Sequence, residues 1–434
     1  MRPIPCLTGG LCVLMGFNLA VAFAQRTDVF VGSVNDPAIA YTTRPVHDPV
    51  AELDARLEQG SARLAFEPGS GYLRATLEAL HVPVESQSLV FSQTSAQASQ
   101  VGPRTPRALY FNDTVAVGWV RGAGLLELAA QDPQQGVVFY TLAQRASDRP
   151  RLVRDNACLR CHVTWDTLGV PGLQMLSTFR MSDDPNAYAS GIVVDHRTPL
   201  RERWGGWYVT GKGGFAPHLG NVPVVVTKAE MEKAPPPTPE LVSVAGLVDA
   251  SAYPSPFSDI AALMVFAHQT HMTNLITRVG WEARLSANAT RAAGTASGGQ
   301  DPASRVREAA RDLVDYLVFV DEAPLSRRIE GSGFAEWFSR QGPRDGKGRS
   351  LHQLDLEHRL LRYPCSYMID SPAFDALPSM AKDAVYRRLW QILSGEETGA
   401  RYARLARADR QAIVEILRDT KRDLPEYFRM GPLG

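Results

Sequence analysis

Ser88-Leu-Val-Phe91, Ala108-Leu-Tyr-Phe111, Val115-Ala-Val-Gly-Trp-Val120, Leu125-Leu-Glu-Leu128 and Gly136-Val-Val-Phe-Tyr-Thr-Leu142 are short runs rich in branched and aromatic residues. Such residues suit a pleated, half-buried surface. Asn112-Asp113, Arg121-Gly122 and Asp132-Pro133 punctuate them with turn formers. The spacing predicts an antiparallel meander over residues 87–142. Its aromatics Tyr110, Phe111, Trp119, Phe139 and Tyr140 are expected mainly as core.

Upstream, residues 25–50 are rich in Asn, Asp, Pro and Thr and read as an extended surface arm. Asp48-Pro49 then opens a helix, with Asp as cap and Pro at the first position. Leu53 and Leu57 form its apolar stripe, and Gly60 ends it. A second helix is expected over 71–80. Downstream, Gly191-Ile-Val-Val194 and Trp207-Tyr-Val-Thr210 read as two further strands. Gly211 to Gly220 reads as a flexible loop, and Lys228 to Pro239 as a stiff, proline-rich linker.

The remainder is helical in pattern. Ser258 is the expected cap of a helix reaching about Leu285. Pro302 starts another, striped by Val306, Ala310, Leu313, Leu317 and Val320. Residues 379–394 repeat the pattern and stop at Gly395, and a last helix carries Ile413, Ile416 and Leu417. Residues 287–300 and 341–350 are expected loops. The fold class is therefore α+β: an antiparallel β-rich region followed by an α-helical C-terminal region. The expected divisions are 1–24, 25–86 (arm and short helices), 87–232 (β-rich) and 233–434 (helical, packed on the β-rich part).

The meander leads into Cys158-Leu-Arg-Cys161-His162-Val-Thr-Trp165-Asp-Thr-Leu-Gly169-Val-Pro171-Gly172. Its first five residues spell C-x-x-C-H, the spacing that attaches a c-type haem. Two thiols three residues apart on one turn bond the two vinyl-derived carbons of the porphyrin edge. The next residue then supplies the proximal imidazole. A redox C-x-x-C would want a strand before it and a helix opening at the first Cys. A zinc site would want a second Cys or Cys/His pair, and the sequence holds no second C-x-x-C.

Cys158, Cys161 and His162 resemble the haem site of c-type cytochromes. The wider chain, above all Arg203-Trp204-Gly205-Gly206-Trp207-Tyr208-Val209-Thr210-Gly211, resembles large exported bacterial cytochrome-c-like proteins of no assigned activity. The resemblance implies one covalently bound haem c in a periplasmic protein. In small cytochromes c the motif sits near the start of a helical domain, whereas here a long β-rich segment precedes it.

Composition and address agree. Lys+Arg and Asp+Glu are both 46, so net charge is zero and a nucleic-acid partner has no electrostatic support. Arg2, an apolar stretch from Ile4 to Ala24, and Ala22-Phe23-Ala24 read as a cleavable signal peptide. Pro5, Gly9, Gly10, Gly16 and Asn18 interrupt that stretch, which disfavours a retained anchor. No later stretch reads as an integral membrane segment. Cys365 is expected as a small buried apolar residue.

The sixth iron ligand separates carrier from enzyme. His268, His218 and Met175 are the candidates. Met264, His268, His271 and Met272 share one helix face at spacings of three and four, which should be buried. His218 lies in the glycine-flanked loop, free to swing over the haem. Met175 follows His162 closely enough to reach around the haem edge. His196 is expected to pair with its neighbour Asp195. The leading expectation is a periplasmic mono-haem cytochrome exchanging electrons with periplasmic redox proteins. The alternatives are a peroxidase-like haem oxidoreductase with an open distal site, and a haem-based sensor.

Overall fold

A computed structural model describes residues 33–178, 191–212, 217–222, 239–293 and 302–430. The expected signal peptide, and the linker apart from Pro239, lie outside them. The meander forms a six-stranded antiparallel sheet in sequential order: β1 Ser88–Val90, β2 Arg107–Phe111, β3 Val115–Trp119, β4 Leu125–Asp132, β5 Gly136–Ala143 and β6 Val153–Arg154.

Alternation along the strands gives the sheet two different faces. Tyr110, Val117, Leu128, Val138 and Tyr140 point into a core closed by α1 (Pro49–Glu58) and α2 (Leu73–Ala79). Asp48 caps α1: its Oδ1 accepts from Val50 N at 2.9 Å and Ala51 N at 3.0 Å. Tyr140 OH donates to the other oxygen at 2.5 Å, tying the cap to the sheet. On the opposite face, Phe111 and Ala116 join the helical core. Ala129, Val137 and Phe139 form a small cluster of their own against Cys158, Leu159 and Leu173. The cysteine motif, with its single helical turn α3 (Leu159–His162), therefore sits on the sheet face away from α1 and α2.

A short ladder of β7 (Leu176–Ser177) and β8 (Ile192–Val193) follows. The helical region then comprises α4 (Ile260–Ala293), α5 (Pro302–Leu317), α6 (Phe334–Phe338), α7 (Pro372–Asp375), α8 (Ser379–Leu393), α9 (Arg407–Thr420) and α10 (Glu426–Met430). At 34 residues α4 is about 50 Å long and contributes to both main cores. Among the described residues no helix is long and apolar enough to cross a membrane. Residues assigned from sequence to the helical part also complete the sheet's core. Val244, Val248 and Tyr253 lie there, with Tyr253 edge-on to Trp119 at 5.4 Å.

Several expectations need correction. The arm lies on the surface but is anchored: Ile39 and Tyr41 are fully buried, while Asn35, Pro37, Thr42, Thr43, Pro45 and His47 stay exposed. Arg284 of α4 donates to the carbonyls of Ala38 and Ile39, holding the arm between helix and sheet. Trp207–Thr210 is not a regular strand. Positive φ at Trp204 and Gly206 breaks its approach. Its backbone then divides its bonds among Leu89, Asn221 and Ser258, so no ladder forms. The N-cap of α4 is Asp259, whose Oδ1 accepts from Ala261 N and Ala262 N. Ser258 instead stitches Leu89 N to Tyr208 O. The helix also runs past Leu285 to Ala293, because the alanines of that expected loop favour helix.

Candidate cofactor site at the Cys158–His162 turn

Asp155 starts the site. Its carboxylate accepts from Ala157 N at 2.9 Å and caps the turn that carries both cysteines. Residues 156–158 form a 3-10 turn that runs straight into α3, so Cys158 and Cys161 lie three apart on one helical face. Both thiols are free; Cys161 is exposed and Cys158 half-buried on Ala129, Val137 and Phe139. Burial, with the charges of Asp155 and Glu127, pushes the Cys158 thiol up to about 11. An activated redox C-x-x-C needs the opposite shift.

His162 is oriented by backbone. Its Nδ1 lies 2.9 Å from Gly172 O and donates to it, which places the proton on Nδ1. Gly172 N returns a bond to His162 O at 3.0 Å. Phe139 packs against the imidazole, ring centroids 4.5 Å apart. Burial holds the imidazole below its ordinary pKa, with the Gly172 bond opposing, so the ring is neutral near pH 7. Among the described residues no hydrogen bond engages Nε2. A neutral imidazole with Nδ1–H anchored and Nε2 unengaged is the ligating form.

The sheet face that carries the motif mixes exposed apolar side chains with an ion pair. On the motif's side of the sheet, Leu125 is 40% and Val153 58% exposed, and Trp165 just beyond the motif is 59% exposed. Gly118 of β3 lets the Arg107 guanidinium lie across that face, where it pairs with Glu127 at 2.6 Å. Two thiols three residues apart and an anchored imidazole form the donor set that a covalently held porphyrin would need. Among the described residues no cluster of three or more His, Cys, Asp or Glu side chains is placed to hold a bare metal ion.

The sixth-ligand candidates are placed differently. Met175 is buried in the helical core. His218 is packed rather than free to swing: it is 3% exposed, its Nδ1 accepts from Gly220 N, and its ring meets Trp204 edge-on. Of the face expected to be buried, Met264, His268 and Met272 are, while His271 is only partly so. His268 has both ring nitrogens engaged, Nδ1 with His196 Nδ1 at 2.8 Å and Nε2 with Ser366 Oγ at 2.7 Å.

His196 therefore pairs with His268, not with Asp195. Asp195 is taken by Arg197 at 2.5 Å. The two imidazoles stack with Tyr316 and Phe319. Burial drives His268 down to about 3 and His271 to about 4, and holds His196 well below the ordinary value. Sequence reasoning missed Asn274, which grips the turn after the motif. A signal was present: Gln269, Thr270, Thr273, Asn274 and Thr277 put a polar stripe on a helix otherwise apolar enough to be buried.

The chain matches no protein-family model, no curated protein and no solved structure.

Proposed function

We propose that the chain is an exported mono-haem c-type cytochrome that exchanges single electrons with periplasmic redox proteins. Cys158 and Cys161 would carry the thioether bonds and His162 the iron. The observation that carries this reading is the C-x-x-C-H turn whose His162 donates Nδ1–H to Gly172 O, leaving Nε2 for a metal. The bound haem would supply the one-electron chemistry. Of the chain's own residues, Gly172 orients the imidazole, Cys158 and Cys161 would hold the porphyrin edge, and Ala129, Val137 and Phe139 back the turn that carries them. The signal-like N-terminus supports the periplasmic address, where covalent attachment retains a cofactor that is not recovered if lost.

A second reading, a haem-dependent oxidoreductase or sensor with an open distal position, is favoured by one observation. His268 is committed through both nitrogens, His218 is packed on Trp204, and Met175 belongs to the helical core. Ultraviolet-visible and EPR spectra of protein exported with haem-maturation machinery test both readings. A six-coordinate low-spin iron with a reversible couple supports the carrier. High-spin ferric iron that binds cyanide supports the second. A colourless protein with Cys158 and Cys161 unmodified overturns both.

A further inference from the structure

The segment that follows the motif is gripped at three consecutive residues. Pro171 O accepts from Val137 N of β5 at 3.2 Å. Gly172 exchanges two bonds with His162. Leu173 exchanges two with a single side chain, Asn274 of α4. Its N–H donates to Asn274 Oδ1 at 3.0 Å, and its carbonyl accepts from Asn274 Nδ2 at 2.7 Å. Asn274 is only 1% exposed, so these bonds are shielded from competing water.

Space enforces the arrangement. A Cβ added at Gly172 would collide with the Asn274 side-chain oxygen and approach Thr167. Glycine is needed there for close approach, since its φ is not in the left-handed region. The carboxamide is therefore pressed against the residue whose carbonyl takes the His162 proton.

We infer that Asn274 is a positioning residue for the haem ligand, setting the strength of the His162–Gly172 hydrogen bond and through it the potential of the iron. The inference rests on the haem reading above. A firm Nδ1–H bond to a carbonyl makes Nε2 more basic, which favours ferric over ferrous iron. Loosening Leu173 lets Gly172 O drift and weakens that bond. The iron then becomes easier to reduce.

The test uses the full chain, exported and matured with haem. Asn274→Leu should retain covalent haem, by absorbance and haem stain, while its midpoint potential rises. We expect the ferrous-to-ferric ratio at a fixed ambient potential to increase about three- to tenfold, tenfold being about 59 mV for one electron. The ferric EPR g-values should shift with it. Gly172→Ala carries the same test from the other side of the contact and serves if Asn274→Leu accumulates poorly. Combining Gly172→Ala with Asn274→Ala should add little to either single change, because both act on one contact. Haem-loaded variants with unchanged potential and unchanged EPR, or fully additive shifts, overturn the inference alone. A wild-type chain without haem overturns the haem reading and this inference with it.

Discussion

His162 and His268 are both held inside folded protein, yet they are held in opposite ways. His162 is anchored through one nitrogen to a main-chain carbonyl, on a half-exposed turn over Ala129, Val137 and Phe139. His268 is fully buried, with one nitrogen on another imidazole and the other on a serine. The difference is one of uncommitted valence. His162 leaves Nε2 unengaged, whereas His268 commits both nitrogens and so offsets its burial.

The comparison breaks most visibly at the motif. Replacing Cys158 and Cys161 together with Ala, or His162 with Ala, is expected to abolish properly attached haem while the chain still folds. Pyridine haemochrome spectra and mass measurement of the intact chain check this. His268→Ala should do the reverse. It is expected to keep the covalent haem and cost about 3 kcal/mol of stability, because it opens a cavity and strands His196. Denaturant unfolding of the haem-loaded protein measures it.

Acid sharpens the contrast. His268 and His271 are held in the fold at about 3 and about 4, below the ordinary imidazole value, and burial holds His196 well below it too. The unfolded chain thus binds more protons than the folded one below about pH 6.5. The stability these groups contribute is complete above that pH and is lost as pH falls toward 4. Buried Glu322 and Asp370, raised to about 7 and about 6, act with the opposite sign. The measurement is therefore a difference: stability against pH should fall less steeply in His268→Phe than in wild type. Equal slopes would mean that the imidazole titrates freely in the fold.

The smallest effect is expected at Ser366. Ser366→Ala removes the partner of His268 Nε2 and should cost about 1–2 kcal/mol. It should leave the haem spectrum unaltered, since the bond it removes belongs to the structural histidine.

Much of the fold was legible along the chain. The meander, the Asp48 cap of α1, the Pro302 start of α5 and the Gly395 stop of α8 all follow from local chemistry: alternation, capping and left-handed glycine. The failures share a cause. Trp207–Thr210 has strand propensity and lies beside β1, but beyond its single bridge to Val90 its bonds go to Asn221 and Ser258. The arm looks polar and stays largely exposed, yet Ile39 and Tyr41 anchor it once α4 supplies Arg284. Sequence offered Asp195 to His196 by proximity, but Arg197 binds that carboxylate more strongly than a neutral imidazole can.

Two thiols and an imidazole at a fixed spacing were determined by the sequence alone, because three groups on one helical turn need no distant part of the chain to bring them together. Only the tertiary structure decided which histidines have a nitrogen to spare. That property depends on partners far along the chain: Ser366 and His196 for His268, and Asn274 for the turn that holds His162. Hydrogen-bond commitment in a core is set by packing between elements, and packing is invisible to spacing.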